Sequence, residues 1–213
     1  MIMMNTLIKD YIALIAITNP LSALAIFTSL TSDYTKKSIN STALTTFFAI
    51  CIIMIVMTWI GLPLLHLFGI KASEFAIAGG IIIAIIGYTM LQGEVSKTNH
   101  SKEEHQASIQ KESIAIIPLA IPMIAGPGAM VQTVMISNLT PTILGKIELT
   151  GICLCVALTI YITLRFSSAI HNMLGVSGLK TLTRIMGLII MSIAISMIIQ
   201  GLQDVFPSWH NRT

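Results

Sequence analysis

The sequence predicts an all-α membrane protein of six transmembrane helices, arranged as two inverted repeats of three helices each. Three observations lead to this fold class. The 213 residues are 54% hydrophobic and only 10% charged, whereas soluble domains carry about 25% charged residues. The apolar runs are long enough to cross a bilayer. Proline-containing interruptions occur at matching positions in the two halves.

Six apolar stretches reach the roughly 20 residues that a membrane-spanning helix needs. They cover residues 9–32, 40–62, 74–93, 113–138, 146–165 and 182–202. We interpret the chain, residues 1–213, as a single transmembrane domain. Its parts are a first repeat at 1–93, a polar cytoplasmic linker at 94–112 and a second repeat at 113–213.

The first stretch is interrupted by Asn19 and Pro20. Asparagine is a favoured N-cap, and proline is favoured at the first helical position. The pair therefore predicts that one half-helix ends and another begins near mid-membrane, with Ser22 on its first turn. The alternative is a single kinked helix in which Asn19 forms a hydrogen bond to a neighbour.

The second and third stretches predict ordinary packed helices. Trp59 fits an anchor at the membrane interface, and Pro63 predicts the end of the second helix. In the third stretch, Ala76, Gly80 and Ala84 recur at four-residue spacing. Small residues at this spacing allow two membrane helices to approach closely.

The fourth stretch contains Pro118, Pro122 and the triplet Gly126-Pro127-Gly128. Because proline removes a backbone donor and clashes with the preceding turn, the triplet predicts two half-helices that meet at unwound backbone. The alternative is again one kinked helix. Unpaired backbone at membrane depth occurs only where it is buried in protein or lines a cavity, so the triplet is a candidate binding site.

The fifth stretch has few polar features, and the sixth closes the second repeat. At an offset of 107, Pro20 matches Pro127 and Ile17 matches Ile124. At an offset of 108, the third stretch matches the sixth at Gly79/Gly187, Ile81/Ile189, Ile82/Ile190, Ile85/Ile193, Gln92/Gln200 and Gly93/Gly201. Breaks at corresponding positions of two inverted halves are the plan of many secondary transporters. The alternative is chance similarity between apolar helices.

The basic residues predict an orientation. Eight of the twelve lie in loops one, three and five, and four lie on the other side. By the positive-inside rule this distribution places both termini outside and the linker in the cytoplasm. The net charge of +3 is thus a topology signal and does not predict nucleic-acid binding.

Metal, cofactor and disulfide chemistry are not expected. Cys51, Cys153 and Cys155 all lie in apolar stretches, and the last two point to different helix faces. We interpret them as small apolar residues. The linker carries His100, Glu103, Glu104 and His105 in a spacing that fits no established metal motif.

Two half-helix N-termini in one cavity would present amide donors and a partial positive charge, which suit a carboxylate. Unwound carbonyls would suit an ammonium group. A zwitterionic solute is therefore a sensible ligand. The candidate substrate-binding residues are Asn19, Pro20, Ser22, Gly126, Pro127 and Gly128, with Gln132 and Thr133 as weaker candidates on the turn after the break.

No Asp, Glu, Lys or Arg occurs within residues 11–31, 39–69, 75–93, 113–144, 149–164 or 185–200. Since intramembrane proton relays use such residues, proton coupling through a carboxylate is not expected. A channel and a structural or regulatory membrane protein remain alternatives to a transporter. The sequence contains neither an HExxH motif nor a serine–histidine pair within an apolar stretch, so no motif indicates an enzyme.

The motifs Asn19-Pro20, Phe27-Thr28-Ser29-Leu30-Thr31, Pro118-Leu119-Ala120-Ile121-Pro122 and Ala125-Gly126-Pro127-Gly128-Ala129 resemble the signature of the MarC family, inner-membrane proteins related to LysE-type exporters. The first motif departs from the family pattern, since Ser22, Ala23 and Ala25 replace glycine, asparagine and proline. Some family members resemble carriers of small neutral amino acids. The resemblance therefore implies a carrier of this kind in the bacterial inner membrane, surrounded by lipid. It does not exclude a homo-oligomer.

Overall fold

The computed structural model describes residues 2–31, 34–92 and 124–206. The seven elements that lie wholly within these ranges are α-helices, and Ile124 is π-helical. The all-α prediction is confirmed for this part of the chain. The helices are α1 (Ile2–Thr18), α2 (Pro20–Leu30), α3 (Lys36–Leu67), α4 (Ala72–Leu91), α5 (Pro127–Leu139), α6 (Ile143–Arg165) and α7 (Ser167–Val205).

Five of the six predicted membrane spans are present. They are Thr6–Thr28, Lys36–Leu67, Ala72–Leu91, Ile143–Arg165 and Ser177–Val205, which makes the chain an integral membrane protein. Of the fourth predicted span only α5 is described. Its 13 residues measure about 20 Å, less than the ~30 Å hydrocarbon core. Pro118, Pro122 and the linker 94–112 lie outside the described residues.

Two predicted boundaries are wrong. Pro63 does not end the second span, because α3 continues through it to Leu67. Membrane helices tolerate proline where surrounding groups satisfy the freed carbonyls. The sixth span begins at Ser177 and not at residue 182. The helix that contains it continues N-terminally to Ser167 across one non-helical residue, Gly175, with φ 64°.

The buried side chains form two clusters. The first joins α1, α2, α3, α5 and α6, and its members include Leu14, Ala23, Phe27, Ile124 and Ala125. The second joins the end of α1 to α4, α5 and α7, and it includes Ile17, Ile83, Ala129 and Ile190. Residues that flank Asn19, and residues that flank the triplet Gly126-Pro127-Gly128, therefore belong to both clusters.

Helices α4 and α7 form the most extensive helix pair. Their backbones touch at glycines: a Cβ on Gly87 would lie 2.9 Å from the carbonyl oxygen of Gly187, and a Cβ on Gly187 would lie 2.8 Å from that of Gly87. A Cβ on Gly80 would lie 2.9 Å from the carbonyl oxygen of Ala194. The close approach predicted from small residues in the third span is thus confirmed at Gly80.

Helices α3 and α6 form the second extensive pair. The indole N–H of Trp59 donates to Oγ1 of Thr150 at 3.1 Å. The hydroxyl of Thr58 lies 3.8 Å from Sγ of Cys153. Cys153 is buried and Cys155 is exposed, so these cysteines do point to different faces.

Candidate functional site

Asn19 interrupts the first span. It adopts a left-handed backbone conformation, φ 43° and ψ 76°, between the end of α1 at Thr18 and the start of α2 at Pro20. Asparagine enters this region more readily than most residues. Its Oδ1 accepts from the Ser22 N–H at 3.3 Å, and its Nδ2 donates to Ser22 Oγ at 2.6 Å. The predicted N-cap at Asn19 is confirmed.

The interruption is confined to one residue. The Asn19 N–H donates to the Ile15 carbonyl at 3.0 Å, and the Ala23 N–H donates to the Asn19 carbonyl at 3.1 Å. Consequently α1 and α2 remain parts of one membrane span. Asn19 Nδ2 also lies 3.5 Å from Sδ of Met90 on α4. The structure therefore combines both sequence alternatives, a helix restart and a contact from Asn19 to a neighbouring helix.

The second break lies at the start of α5. Gly126 is the N-cap, with φ −69° and ψ −175°, and Pro127 is the first helical residue. Ile124, Ala125, Gly126 and Gly128 are buried, whereas Pro127 itself is exposed. The prediction that a helix starts at the Gly-Pro-Gly triplet is confirmed. The residues before 124 lie outside the described part.

The N-terminus of α5 has no side-chain cap. Pro127 has no N–H, and Gly126 offers no side chain to cap Gly128 or Ala129. The intrahelical ladder starts with the Met130 N–H, which donates to the Gly126 carbonyl at 3.1 Å. A helix N-terminus attracts anionic groups through its amide donors and dipole. Here the two glycines on either side of Pro127 are buried.

The two breaks are in contact. A Cβ on Gly128 would lie 3.2 Å from Cγ2 of Ile17 and 3.0 Å from Cγ1 of Ile83. Ile17 precedes Asn19 by two residues, and Gly128 follows Pro127 directly. The first break, the second break and α4 therefore surround one small region of the core.

Of the two weaker candidates, Thr133 bonds within its own helix. Its buried hydroxyl donates to the Ala129 carbonyl at 2.7 Å. Gln132 differs, because its buried Oε1 has no hydrogen-bond partner among the described residues. Leaving such an oxygen unpaired costs about 1–3 kcal/mol. Since Gln132 lies one helical turn after Gly128 on the same face, a ligand donor beside the break could satisfy it.

Sequence reasoning assigned α4 only a packing role and so missed Ile83 and Met90. Both are apolar residues in an apolar helix, and nothing in their local sequence marks them. The available signal was the repeat itself. Ile83 and Ile190 are 107 residues apart, as are Met90 and Met197, and all four are buried.

Two ionisable residues, Asp10 and Glu148, line a cavity near the ends of the membrane spans. This cavity of about 410 Å³ opens between the start of α1, the end of α5 and the start of α6. Asp10 and Glu148 lie on its wall together with Thr140 and Thr142. Among the residues described, no group of three or more His, Cys, Asp or Glu side chains could hold a metal ion. His100, Glu103, Glu104 and His105 lie outside them.

These features define a polytopic α-helical membrane protein in which a helix interruption at Asn19 lies beside the helix start at Gly126. The chain matches the description "MarC family integral membrane protein" over residues 4–206. It therefore belongs to the MarC family, as its motifs indicated.

The relatives match it over nearly their whole length. The UPF0056 membrane protein YhcE of Escherichia coli (strain K12) is 32% identical, over 95% of this chain and 94% of the relative. A UPF0056 membrane protein of Buchnera aphidicola subsp. Schizaphis graminum is 33% identical, over 94% and 93%. One of Pyrococcus horikoshii is 36% identical, over 92% and 94%. No solved structure matches the chain.

Proposed function

We propose that this protein is a secondary transporter of small neutral solutes, with neutral amino acids as the substrate class, and that it works by alternating access in the bacterial cytoplasmic membrane. One observation carries the proposal: the buried Gly128, in the first turn of α5, touches Ile17, which precedes the interruption at Asn19 by two residues. Broken helices that face each other at depth are the usual way in which transporters build a solute site.

Burial supports the inverted repeat that this mechanism requires. At one common offset of 107, five of the six buried positions of α4 coincide with buried positions of α7, the exception being Gly79, which corresponds to the half-buried Met186. The matching pairs are Ala76/Thr183, Gly80/Gly187, Ile83/Ile190, Gly87/Ala194 and Met90/Met197. The same offset relates Pro20 to Pro127. Burial thus favours 107 over the offset of 108 that the sequence match of these helices suggested.

The helix contacts support the same symmetry. If α2, α3 and α4 correspond to α5, α6 and α7, each contact between the halves should have a counterpart. Helix α4 packs on α5 and α2 packs on α7, while α3 packs on α5 and α2 on α6. The pairs α3–α6 and α4–α7 each join two corresponding helices, so the symmetry maps each of these contacts onto itself. Gly69 and Gly175, both with positive φ, are 106 residues apart; Gly69 precedes α4, and Gly175 precedes the membrane span Ser177–Val205 within α7.

The chemistry at the breaks supports a zwitterion as the solute. The start of α5 offers amide donors that suit a carboxylate. The break at Pro20 frees carbonyls of the preceding turn, because proline cannot donate to them, and carbonyls suit an ammonium group. The surrounding side chains, such as Ile17, Ile83 and Ala129, are buried and apolar. They offer no partner to a charged substrate side chain.

For the orientation, we propose that both termini lie outside, as the basic residues predict. The cavity beside Asp10 supports one part of this topology, because Thr6 of α1 and Thr142 at the start of α6 line it together. The N-terminus and the α5–α6 connection therefore lie on the same face. Reporter enzymes fused after Gln92 and at the C-terminus are expected to report cytoplasm and exterior, respectively. A cytoplasmic C-terminal reporter would overturn this orientation.

Replacing Asn19 with alanine is expected to reduce transport much more than stability. The loss of an N-cap costs about 1 kcal/mol, which a packed bundle survives, whereas the loss of the amide removes a polar group from the region between the breaks. Folded yield and uptake of the same solute are measured for both proteins. Thr18→Ala is the control, since the Thr18 hydroxyl bonds its own helix at Leu14. If N19A transports as well as the parent protein, Asn19 is not part of the solute site.

A ligand screen tests the proposed substrate class. A solute that binds the folded state raises the midpoint of thermal unfolding by mass action. The purified protein is expected to be stabilised by one or more small neutral amino acids and not by aspartate or lysine. Stabilisation by charged solutes alone would refute the substrate class. If no solute in a broad panel binds, a structural or regulatory role becomes the better account.

A further inference from the structure

The first part of α7 is a short amphipathic arm at the membrane boundary. We use "the arm" for residues 167–174, which lie between the end of α6 at Arg165 and the left-handed Gly175. The span Ser177–Val205 begins just after it. Since a membrane span ends on one side of the arm and another begins on the other, the arm lies at the surface of the bilayer.

The arm and its first flanking residue present three faces. Phe166, Ala169 and Met173 recur at helical spacing and are exposed, Phe166 by 54% and Met173 by 78%. Ser168 and Asn172 form an exposed polar face beside them. The third face, with Ser167 at its centre, is turned toward the protein. A helix with exposed apolar and polar sides is suited to the boundary between lipid tails and water.

The charges around the arm have one sign. Arg165, Lys180 and Arg184 are exposed, and Lys180 and Arg184 share a helix face at four-residue spacing. No acidic residue occurs between Glu148 and Asp204. These three cations therefore have no acidic partner in the sequence from 149 to 203.

The corresponding connection of the first half is different. Around Gly69 it also exposes large apolar side chains, Leu67 by 79% and Phe68 by 68%. Its one basic residue, Lys71, is followed by Glu74, whose carboxylate accepts from the Lys71 backbone N–H at 3.1 Å. Exposed apolar residues are thus common to both connections, whereas positive charge without a nearby acidic residue in the sequence is found only at the residues that flank the arm.

We propose that the arm is a binding surface for anionic phospholipids of the surrounding leaflet. Phe166 and Met173 enter the boundary of the acyl chains, and Arg165, Lys180 and Arg184 contact the negatively charged head groups. The occupant follows from the charge, because a zwitterionic head group gives three cations with no acidic neighbour between residues 149 and 203 no net attraction, whereas an anionic one does. This proposal does not depend on the transport activity.

Lipid titration of the purified full chain in detergent tests the proposal. Added phosphatidylglycerol is expected to raise the thermal midpoint at lower concentration than phosphatidylcholine, and inorganic phosphate is expected to have no effect. For K180Q/R184Q the phosphatidylglycerol concentration at half effect should rise about tenfold or more, since each basic residue near an anionic surface contributes severalfold to binding. The matched control is K9Q/K71Q, which removes two exposed charges from the starts of other spans.

The outcomes separate the parts of the proposal. An unchanged titration for K180Q/R184Q, or an equal loss for K9Q/K71Q, would overturn the basic surface. Equal effects of phosphatidylglycerol and phosphatidylcholine would overturn the selectivity for anionic lipid, and an effect of phosphate alone would indicate an ion site instead. F166S/M173S keeps every charge and is expected to weaken the effect of phosphatidylglycerol. If it does not, the apolar strip of the arm takes no part.

Discussion

Replacing Gly87 with valine is expected to abolish most of the folded protein. A Cβ at this position would lie 2.9 Å from the carbonyl oxygen of Gly187 and 3.0 Å from the backbone nitrogen of Met191. Backbone atoms cannot rotate away as a flexible side chain can, so α4 and α7 must separate along their largest contact. Overpacking of a core costs about 1–3 kcal/mol and sometimes more, and we expect the upper end here. The yield of monodisperse protein and its thermal midpoint measure the effect.

Gly151→Val is the matched control for this prediction. Gly151 also lies within a membrane span, but a Cβ there would meet nothing within 4 Å. The control should fold like the parent, since it meets no neighbour. If G87V folds as well as G151V, α4 and α7 do not approach as closely as described. The helix register that supports the repeat would then be wrong as well.

Replacing Gly128 with valine is expected to leave a folded protein that transports poorly. A Cβ there would approach Ile83 and Ile17 at 3.0 and 3.2 Å, and these are side chains that can shift by a few tenths of an ångström. The added methyl groups then occupy the space between the breaks and cover the amides at the start of α5. A loss of about tenfold in solute affinity corresponds to about 1.4 kcal/mol.

This effect is measured as the solute concentration that gives half-maximal uptake, together with the folded yield. G151V serves again as control, because it adds the same side chain at an exposed position. Unchanged affinity in folded G128V would place the solute site elsewhere. Failure of G128V to fold, together with failure of N19A, would make both motifs structural.

Much of the fold could be predicted from local sequence. Apolar length identifies spans. The pair Asn19-Pro20 predicts a restart because asparagine is favoured at the N-cap and proline at the first position of the helix that follows. The end of α3 could not be predicted in the same way. Pro63 breaks helices in water, yet α3 continues through it, because the outcome depends on what surrounds the freed carbonyl. The arm before Gly175 was missed since its polar residues resemble a loop.

The candidate site was predictable only in part. Asn19, Ser22 and Gly128 carry recognisable backbone and capping chemistry, and the structure brings Gly128 to the first break. Ile83 and Met90 have no such mark, because apolar residues in an apolar helix gain a role only through tertiary contact. The repeat register shows the same limit. Isoleucine matches at offset 108 are ambiguous in the sequence, whereas burial distinguishes Ile83/Ile190 from its neighbours.

Counterflow in liposomes tests the central claim most directly. The purified protein is reconstituted, the vesicles are loaded with an unlabelled neutral amino acid that raises the thermal midpoint, and the same amino acid is supplied outside in labelled form. A carrier that alternates between two faces should accumulate the label transiently above its external concentration, and G128V should lose most of this accumulation. Entry that only equilibrates and does not saturate would indicate a channel. Absence of any protein-dependent entry would contradict the assignment as a transporter.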